Sequence, residues 1–124
     1  MAKKQVKNKV KAKEFRRNNA RTGHPAFIVK VYKDSKKNKK VEFIGITEAP
    51  KTHGTKNIRL DVNPEPNNTT KAHLRPKTEH VDLKEKTFGP NLTDWKFADS
   101  DKPKVKTIIE KSNKKRQHVG KSKR

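Results

Sequence analysis

The side chains in the middle of the chain that could act on a phosphodiester offer either proton transfer or positive charge. They are His24, Thr47, His53, Arg59, His73 and Arg75. Metal-free cleavage of RNA needs a base for the 2′-hydroxyl, an acid for the leaving oxygen and a cation for the phosphorane. Histidine titrates near neutral pH and can fill the first two roles. Arginine can stabilise the developing charge.

A hairpin over residues 23–50 would position two of these residues. Apolar and β-branched side chains alternate along residues 27–32 and again along residues 41–46, which is typical of two strands. In the first strand Phe27, Val29 and Val31 alternate with Ile28, Lys30 and Tyr32. The connector over residues 34–40 carries Asp, Ser and Asn, so it suits a hairpin loop.

The hairpin predicts that His24 and Thr47 meet. His24 begins the first strand and Thr47 ends the second, and these positions lie at the same end of an antiparallel pair. The alternative interpretation is that His24 is a surface residue held by Pro25, and that Thr47 is simply a good strand former.

Later segments add short strands and one helix. Residues 57–62, with Ile58, Leu60 and Val62 alternating, predict a third strand, and residues 69–75 and 79–83 predict two weaker ones. We expect Leu92, Trp95 and Phe97 to close the core. Asp and Ser at residues 99–101 followed by Pro103 predict a helix over residues 99–111. Its apolar face consists of Val105, Ile108 and Ile109. Frequent turns without βαβ alternation favour a small, mainly β barrel of five or six short strands.

Positive charge is concentrated at the two ends of the chain. The formal net charge is +21, and only 27% of the residues are hydrophobic. Residues 1–22 hold nine Lys or Arg and one Glu, and residues 111–124 hold seven Lys or Arg and no acid. Such segments cannot bury enough apolar surface to offset ordering entropy. We therefore predict a disordered basic arm (1–22), a folded domain (23–111) and a disordered basic tail (112–124).

The basic ends favour a nucleic-acid partner, because Lys and Arg neutralise phosphates and release counterions. An anionic membrane surface and an acidic protein are the alternatives, and the arms lack the apolar anchors of a membrane helix. The side chains predicted to bind nucleic acid are Arg16, Arg17, Arg21, Lys30, His53, Lys114, Lys115 and Arg116.

The cysteine and histidine content predicts no cofactor. There is no cysteine, and the five histidines show no metal-ligand spacing, so we predict no structural metal. A reducing cytoplasm is the simplest location for such a chain. No apolar run approaches the roughly 18 residues of a membrane span.

Two segments resemble the PemK/MazF-like toxins. They are Gly-His-Pro-Ala-Phe-Ile-Val at residues 23–29 and Ile-Gly-Ile-Thr at residues 44–47. The resemblance implies an SH3-like barrel with a C-terminal helix, metal-independent cleavage of single-stranded RNA, and control by a protein antitoxin. It places His24 where the family usually has arginine, and Thr47 at the hydroxyl position. Arg21 is a candidate for the missing arginine.

Two hypotheses follow. In the first, the chain is an endoribonuclease with His24 and Thr47 at the scissile phosphate and Arg59 or Arg75 as charge stabilisers. In the second, it is a non-catalytic nucleic-acid-binding module, for example a ribosome-associated or a phage- or plasmid-encoded accessory protein. The second hypothesis needs only the basic arms and an aromatic platform for base stacking. A protein inhibitor that docks an acidic partner is a third possibility.

Overall fold

The structure is a computed structural model that describes residues 9–17, 23–83 and 88–122, with side chains as far as residue 113. Within these residues, six strands form one antiparallel sheet and two more form a separate hairpin. In chain order the elements are β1 (Phe15–Arg17), β2 (Pro25–Lys33), β3 (Lys39–Thr47), β4 (Lys51–Thr52), β5 (Thr55–Lys56), β6 (Ile58–Arg59), β7 (His73–Leu74), β8 (Glu79–Asp82), a 3₁₀ turn (Asp99–Asp101) and helix α1 (Lys102–Ser122). The predicted mainly β fold with a C-terminal helix is confirmed.

The central hairpin is formed by β2 and β3, as predicted, with Ala26 opposite Gly45. Its connector is ordered by Asp34. The Asp34 carboxylate accepts hydrogen bonds from the backbone N–H groups of Lys36 and Asn38, both at 2.9 Å. This local bonding is the reason why Asp and Asn favour turns.

A β-bulge at Val29 changes which side chains of β2 share a face. The register shifts between Ile28 and Lys30, so β2 carries one extra residue there. Phe27 and Val29 pack on one side of the sheet, whereas Val31 packs on the other with Ile28. The predicted common face for Phe27, Val29 and Val31 is therefore wrong at Val31, because a bulge interrupts the two-residue period.

The remaining strands extend the sheet on both sides of the hairpin. β1 pairs with the start of β2, while β8 pairs with the first half of β3 and β7 with its end. β6 pairs with β7. β1 and β6 are the two ends of this path, and no pairing among the described residues joins them. Closure into an SH3-like barrel stays a prediction.

The third strand is shorter than the predicted range 57–62. β6 ends at Arg59, and the backbone N–H groups of Asp61 and Val62 donate to the Asp101 carboxylate at 2.8 and 3.1 Å. Those two donors are therefore not available to a strand partner. Val62, predicted as an apolar strand position, is 54% exposed.

Strands β4 and β5 form a short hairpin of polar residues after β3. They are joined by His53 and Gly54, whose φ angles are 51° and 79°. Positive φ at both central residues is what a type I′ hairpin turn requires. The turn leaves the His53 side chain exposed.

Hydrophobic side chains pack in two clusters. The first contains Phe15, Ile44, Ile46, Leu60, Ala72, Leu74, Phe97, Val105 and Ile108. The second contains Val10, Ala26, Ile28, Val41, Phe43 and Phe88. The prediction for the aromatic segment is confirmed, because Phe97 belongs to the first cluster and Leu92 and Trp95 pack against it.

The predicted disordered arm is wrong for β1. Phe15 is 5% exposed, and its ring centroid lies 4.9 Å from that of Phe97 and 5.2 Å from that of Phe27. Burial of one aromatic ring contributes about 1.5–3 kcal/mol, a local stabilisation that the average composition of the arm conceals. Residues 1–8 and 18–22 lie outside the described residues.

Helix α1 buries the predicted face. Val105 and Ile108 are 7% and 1% exposed, and Ile109 packs beside them. The helical backbone continues to Ser122, so the predicted disordered tail is wrong for residues 112–122. Lys, Arg and Gln are good helix formers, and basic side chains at a helix C-terminus suit the dipole. No helix in the described part of the chain is long and apolar enough to cross a membrane.

Asp101, predicted as a possible cap of this helix, instead joins the helix to the sheet. Its carboxylate is fully buried and accepts hydrogen bonds from the loop after β6 and from Lys104 Nζ at 2.9 Å. Lys104 Nζ also donates to the backbone oxygen of Arg59 at 3.0 Å. This bonding fixes the start of α1 against the sheet.

Replacing Lys104 by alanine is expected to lower the free energy of unfolding by about 1 kcal/mol, because a hydrogen bond to a buried charge is lost. The hydrogen bond to Asp101 raises the pKa of Lys104 above its ordinary 10.5. The stabilisation is therefore complete below pH 10.5 and is lost as the pH rises through the folded-state value. Urea unfolding measures it, with exposed Lys106→Ala as the control. A loss no larger than that of the control would contradict this role.

Candidate functional site

A cavity of about 240 Å³ opens where β2 begins and β3 ends. Six of its lining residues carry the chemical argument: Arg17, His24, Thr47, Glu48, Glu65 and Trp95. The volume is smaller than the roughly 300–1,000 Å³ of sites that enclose a whole drug-sized ligand. It suits one group of a longer molecule, such as a single phosphate with its sugar.

The antiparallel register brings His24 and Thr47 to this cavity, as the hairpin predicted. Ala26 pairs with Gly45, and His24 and Thr47 each lie two residues beyond this pair, at the same end of the hairpin. His24 is exposed, and Thr47 is half-buried. Thr47 Oγ1 accepts a hydrogen bond from the backbone N–H of Ala49 at 3.1 Å. The hydroxyl proton is then the part of Thr47 that can be donated to a ligand.

Arg17 supplies the guanidinium of the cavity. β1 fixes its backbone by pairing Arg17 with Pro25, and its Nη1 donates to the backbone oxygen of Gly23 at 3.3 Å. The sequence predicted that Arg17 binds nucleic acid as part of a disordered arm. The structure instead places it in a strand beside His24.

Arg59 and Arg75 do not line this cavity, contrary to the prediction that they stabilise charge beside His24 and Thr47. His73 pairs with Thr47 on one side and with Arg59 on the other. Arg59 is therefore two strand spacings from Thr47, about 10 Å.

Arg75 is held in place by its neighbours on the sheet. Its Nη1 donates to Asn57 Oδ1 at 2.6 Å. A Cβ built on Gly45 would lie 3.0 Å from Arg75 Cγ, so the arginine stem passes close over that glycine. These contacts direct Arg75 along the sheet rather than into the cavity.

Two carboxylates in the cavity were missed from the sequence. Glu48 Oε2 accepts a hydrogen bond from Thr70 Oγ1 at 3.1 Å, and Glu65 Oε1 accepts one from Asn68 Nδ2 at 2.8 Å. Glu48 follows Thr47 directly, so its position at the strand end was a usable signal. Glu65 comes from a loop distant in sequence, and no sequence pattern indicated that it lies at the cavity. Among the described residues that line the cavity, the Arg17 guanidinium faces these two carboxylates.

Arg16, predicted to bind nucleic acid, is wrong in that role because it is part of the folded domain. It is 3% exposed, and its guanidinium donates to Glu14 Oε1 at 2.7 Å and to the backbone oxygens of Gly89 and Lys9 at 2.8 and 3.0 Å. At 3% exposure this side chain presents almost no surface to a phosphate.

The other predicted nucleic-acid contacts lie apart from the cavity or outside the described side chains. Lys30 is exposed, with its Nζ 3.8 Å from the buried carboxylate of Glu42 and 5.3 Å from the ring centroid of Tyr32. His53 is exposed at the β4–β5 turn. Arg21 and the side chains of Lys114, Lys115 and Arg116 lie outside the described residues.

Among the residues that the structure describes, no three His, Asp or Glu side chains converge as ligands for a metal ion. Comparison of the chain with protein-family models, with characterised proteins and with solved structures finds no match. The geometry and charge of the cavity and the basic character of the chain are therefore the features that bear on its function.

Proposed function

We propose that this protein binds single-stranded RNA and cleaves it in the cavity, without a metal ion. The observation that carries the proposal is that His24, Thr47 and Arg17 line one cavity. They come from three strand ends and offer an imidazole, a hydroxyl and a guanidinium. Those groups match the acid–base and electrostatic needs of phosphodiester cleavage.

In the proposed reaction the 2′-hydroxyl of one nucleotide attacks the adjacent phosphorus. The bond from phosphorus to the 5′-oxygen breaks, which leaves a 2′,3′-cyclic phosphate and a 5′-hydroxyl. Glu48 and His24 are the two groups that can accept the 2′-hydroxyl proton and donate one to the leaving oxygen. Arg17 and the Thr47 hydroxyl stabilise the charged phosphorane.

The charge of the whole chain supports an RNA substrate. A net charge of +21 attracts a polyanion from a distance, although the cavity itself contains two carboxylates. If about eight phosphates are contacted, the logarithm of the affinity falls with the logarithm of the salt concentration at a slope near −6. The basic surface holds the strand, and the cavity acts on one of its linkages.

The resemblance of residues 23–29 and 44–47 to the PemK/MazF-like toxins supports the same assignment. On this proposal the protein acts on cytoplasmic RNA and is restrained by a protein antitoxin. His24 takes the position of the family's arginine, and Arg17 supplies the guanidinium from β1 instead.

Incubation of the purified protein with mixed single-stranded RNA in EDTA tests the proposal. Cleavage by the wild-type protein, absent with His24→Ala, is the expected result. Intact RNA with both proteins would overturn the cleavage proposal. It would leave the second candidate, a non-catalytic module that binds RNA through its basic surface and not in the cavity. Repulsion between a phosphate and the two carboxylates of the cavity favours this candidate.

Replacing Glu48 by glutamine separates the two candidates further. If Glu48 transfers a proton, kcat falls by about 10²- to 10⁴-fold. The affinity for RNA rises at the same time, because one negative charge is removed from the cavity. Single-turnover kinetics together with a binding titration measure both effects. Unchanged kcat with tighter binding would contradict the catalytic role of Glu48.

A further inference from the structure

A second and larger groove lies between the sheet and helix α1. Its volume is about 1,040 Å³. Among the described residues, its larger apolar lining side chains are Phe15, Phe27, Val29, Trp95, Phe97, Val105 and Ile109. The first function proposed above makes no use of this groove.

The apolar lining of the groove is mainly aromatic. Phe15 and Phe97 are buried, whereas Phe27 and Trp95 are only half-buried and present ring surface to the groove. The Phe15 ring centroid lies 5.9 Å from that of Trp95, and the Phe27 centroid lies 5.0 Å from that of Phe97. This packing holds the two accessible rings in fixed positions.

Positive side chains surround the aromatic surface. The lysines that line the groove are Lys13, Lys96, Lys102 and Lys106, and all four are exposed. The acids there are Asp99 and Glu110. The hydrogen bond from Lys102, at 2.9 Å, lowers the pKa of Asp99, so this carboxylate already has a cation. The excess of lysine favours an anionic ligand that carries flat apolar groups.

Trp95 lines both the groove and the cavity, so the path from one to the other runs past this indole. A strand whose phosphate occupies the cavity would pass this indole next. Single-stranded nucleic acids bind to surfaces that combine cationic side chains with aromatic rings on which the bases stack. An acidic peptide would match the lysines but has no need of the path into the cavity.

We propose that the groove binds unpaired nucleobases of single-stranded RNA, stacked on Trp95 and Phe27, with the lysines on the flanking phosphates. This inference rests on the proposed RNA binding and adds the place where the bases are held. It also restricts the substrate, because paired bases cannot stack on protein rings. Trp95 then lies between the groove for the bases and the cavity for the phosphate.

The fluorescence of Trp95 provides the direct test, because the chain contains one tryptophan. The probes are a 2′-O-methyl oligoribonucleotide, which cannot be cleaved by 2′-hydroxyl attack, and an abasic oligomer with the same number of phosphates. We expect the first to quench Trp95 and to bind more tightly than the second. Equal affinities without quenching would overturn the proposal. Quenching by an acidic amphipathic peptide, but not by the oligoribonucleotide, would also overturn it.

Variants locate the contact. Trp95→Leu is expected to weaken binding of the base-containing probe by roughly 5- to 150-fold, the range for one stacked base. Trp95→Phe should retain most of the affinity. Lys106→Ala should reduce the salt slope by about 0.7, whereas Lys111→Ala, exposed on the same helix and not lining the groove, should not. If Trp95→Leu does not fold, the two lysine variants test the proposal. Equal salt slopes of the affinity for Lys106→Ala and Lys111→Ala would contradict it.

The fluorescence and cleavage assays distinguish an error in the base-binding proposal from an error in the cleavage proposal. If the 2′-O-methyl probe quenches Trp95 but RNA stays intact in the EDTA assay, the cleavage proposal is wrong, while the proposal that the groove binds bases stands. If a folded Trp95→Leu variant still cleaves RNA and binds it with unchanged affinity, the proposal that the groove binds bases is wrong, while the proposal that the cavity cleaves RNA stands.

Discussion

Replacing His24 by alanine is expected to slow RNA cleavage by about 10²- to 10⁴-fold, the usual contribution of one general acid or base. His24 lines the cavity with Thr47 and is the only histidine among the described residues that line it. The affinity for RNA should change little, because the basic surface supplies most of the binding. A single-turnover assay at saturating protein separates the two quantities.

His53 provides the matched control for this substitution. It is exposed like His24 but lies at the β4–β5 turn and does not line the cavity. At saturating protein, where a binding contact of His53 does not limit the rate, His53→Ala should cleave RNA at the wild-type rate. An equal loss in both variants would show that the histidines act through RNA binding or solubility, and would contradict the role of His24.

Replacing the two adjacent arginines of β1 by alanine should affect different properties: stability for Arg16 and the cleavage rate for Arg17. Arg16→Ala is expected to lower the free energy of unfolding by about 3 kcal/mol, because it removes a buried cation, the side-chain donor to the backbone oxygen of Gly89 and the ion-pair partner of Glu14. Arg17→Ala should change stability by less than about 0.5 kcal/mol. It should slow cleavage by about 10²- to 10³-fold, as expected for loss of a charge-stabilising donor.

Urea unfolding and the cleavage assay together test this pair. Arg17→Lys retains the charge but not the planar guanidinium, so partial activity is expected. If Arg16→Ala were as stable as the wild type and lost RNA affinity, Arg16 would be a surface contact and the described packing of β1 would be wrong.

The central hairpin could be predicted because its pattern is local. β-Branched and aromatic residues alternate on both sides of an Asp-containing connector, and antiparallel pairing then places His24 beside Thr47. The bulge at Val29 could not be predicted, since a bulge depends on cross-strand packing and leaves the residue types unchanged. The same limit explains β6, which ends early because Asp101, forty residues away, takes its backbone donors.

Strand β1 was not predicted, because the high positive charge of the N-terminal arm indicated disorder. One aromatic residue, Phe15, is sufficient to anchor a three-residue strand when a partner surface is present, and sequence alone does not show that surface. The consequence is functional, because β1 brings Arg17 to the cavity. A truncation that removes residues 1–22 would therefore remove part of the sheet and of the site.

Only some residues of the candidate site could be predicted from the sequence. His24 and Thr47 followed from strand geometry, and Glu48 is adjacent to Thr47. Arg59 and Arg75 were chosen by residue type, and the width of the sheet separates Arg59 from the cavity. Arg17, Glu65 and Trp95 reach it from β1, from the loop after β6 and from the segment before α1, and such convergence is set by tertiary structure.

The central claim is that the cavity breaks RNA by attack of a 2′-hydroxyl, and product analysis in EDTA tests it most directly. The substrate is a single-stranded oligoribonucleotide, compared with the same oligomer carrying one 2′-deoxynucleotide at the cleaved position. The account predicts products with a 2′,3′-cyclic phosphate and a 5′-hydroxyl from the first, and no cleavage at that position in the second. Cleavage at the deoxynucleotide, or products with a 5′-phosphate, would contradict it.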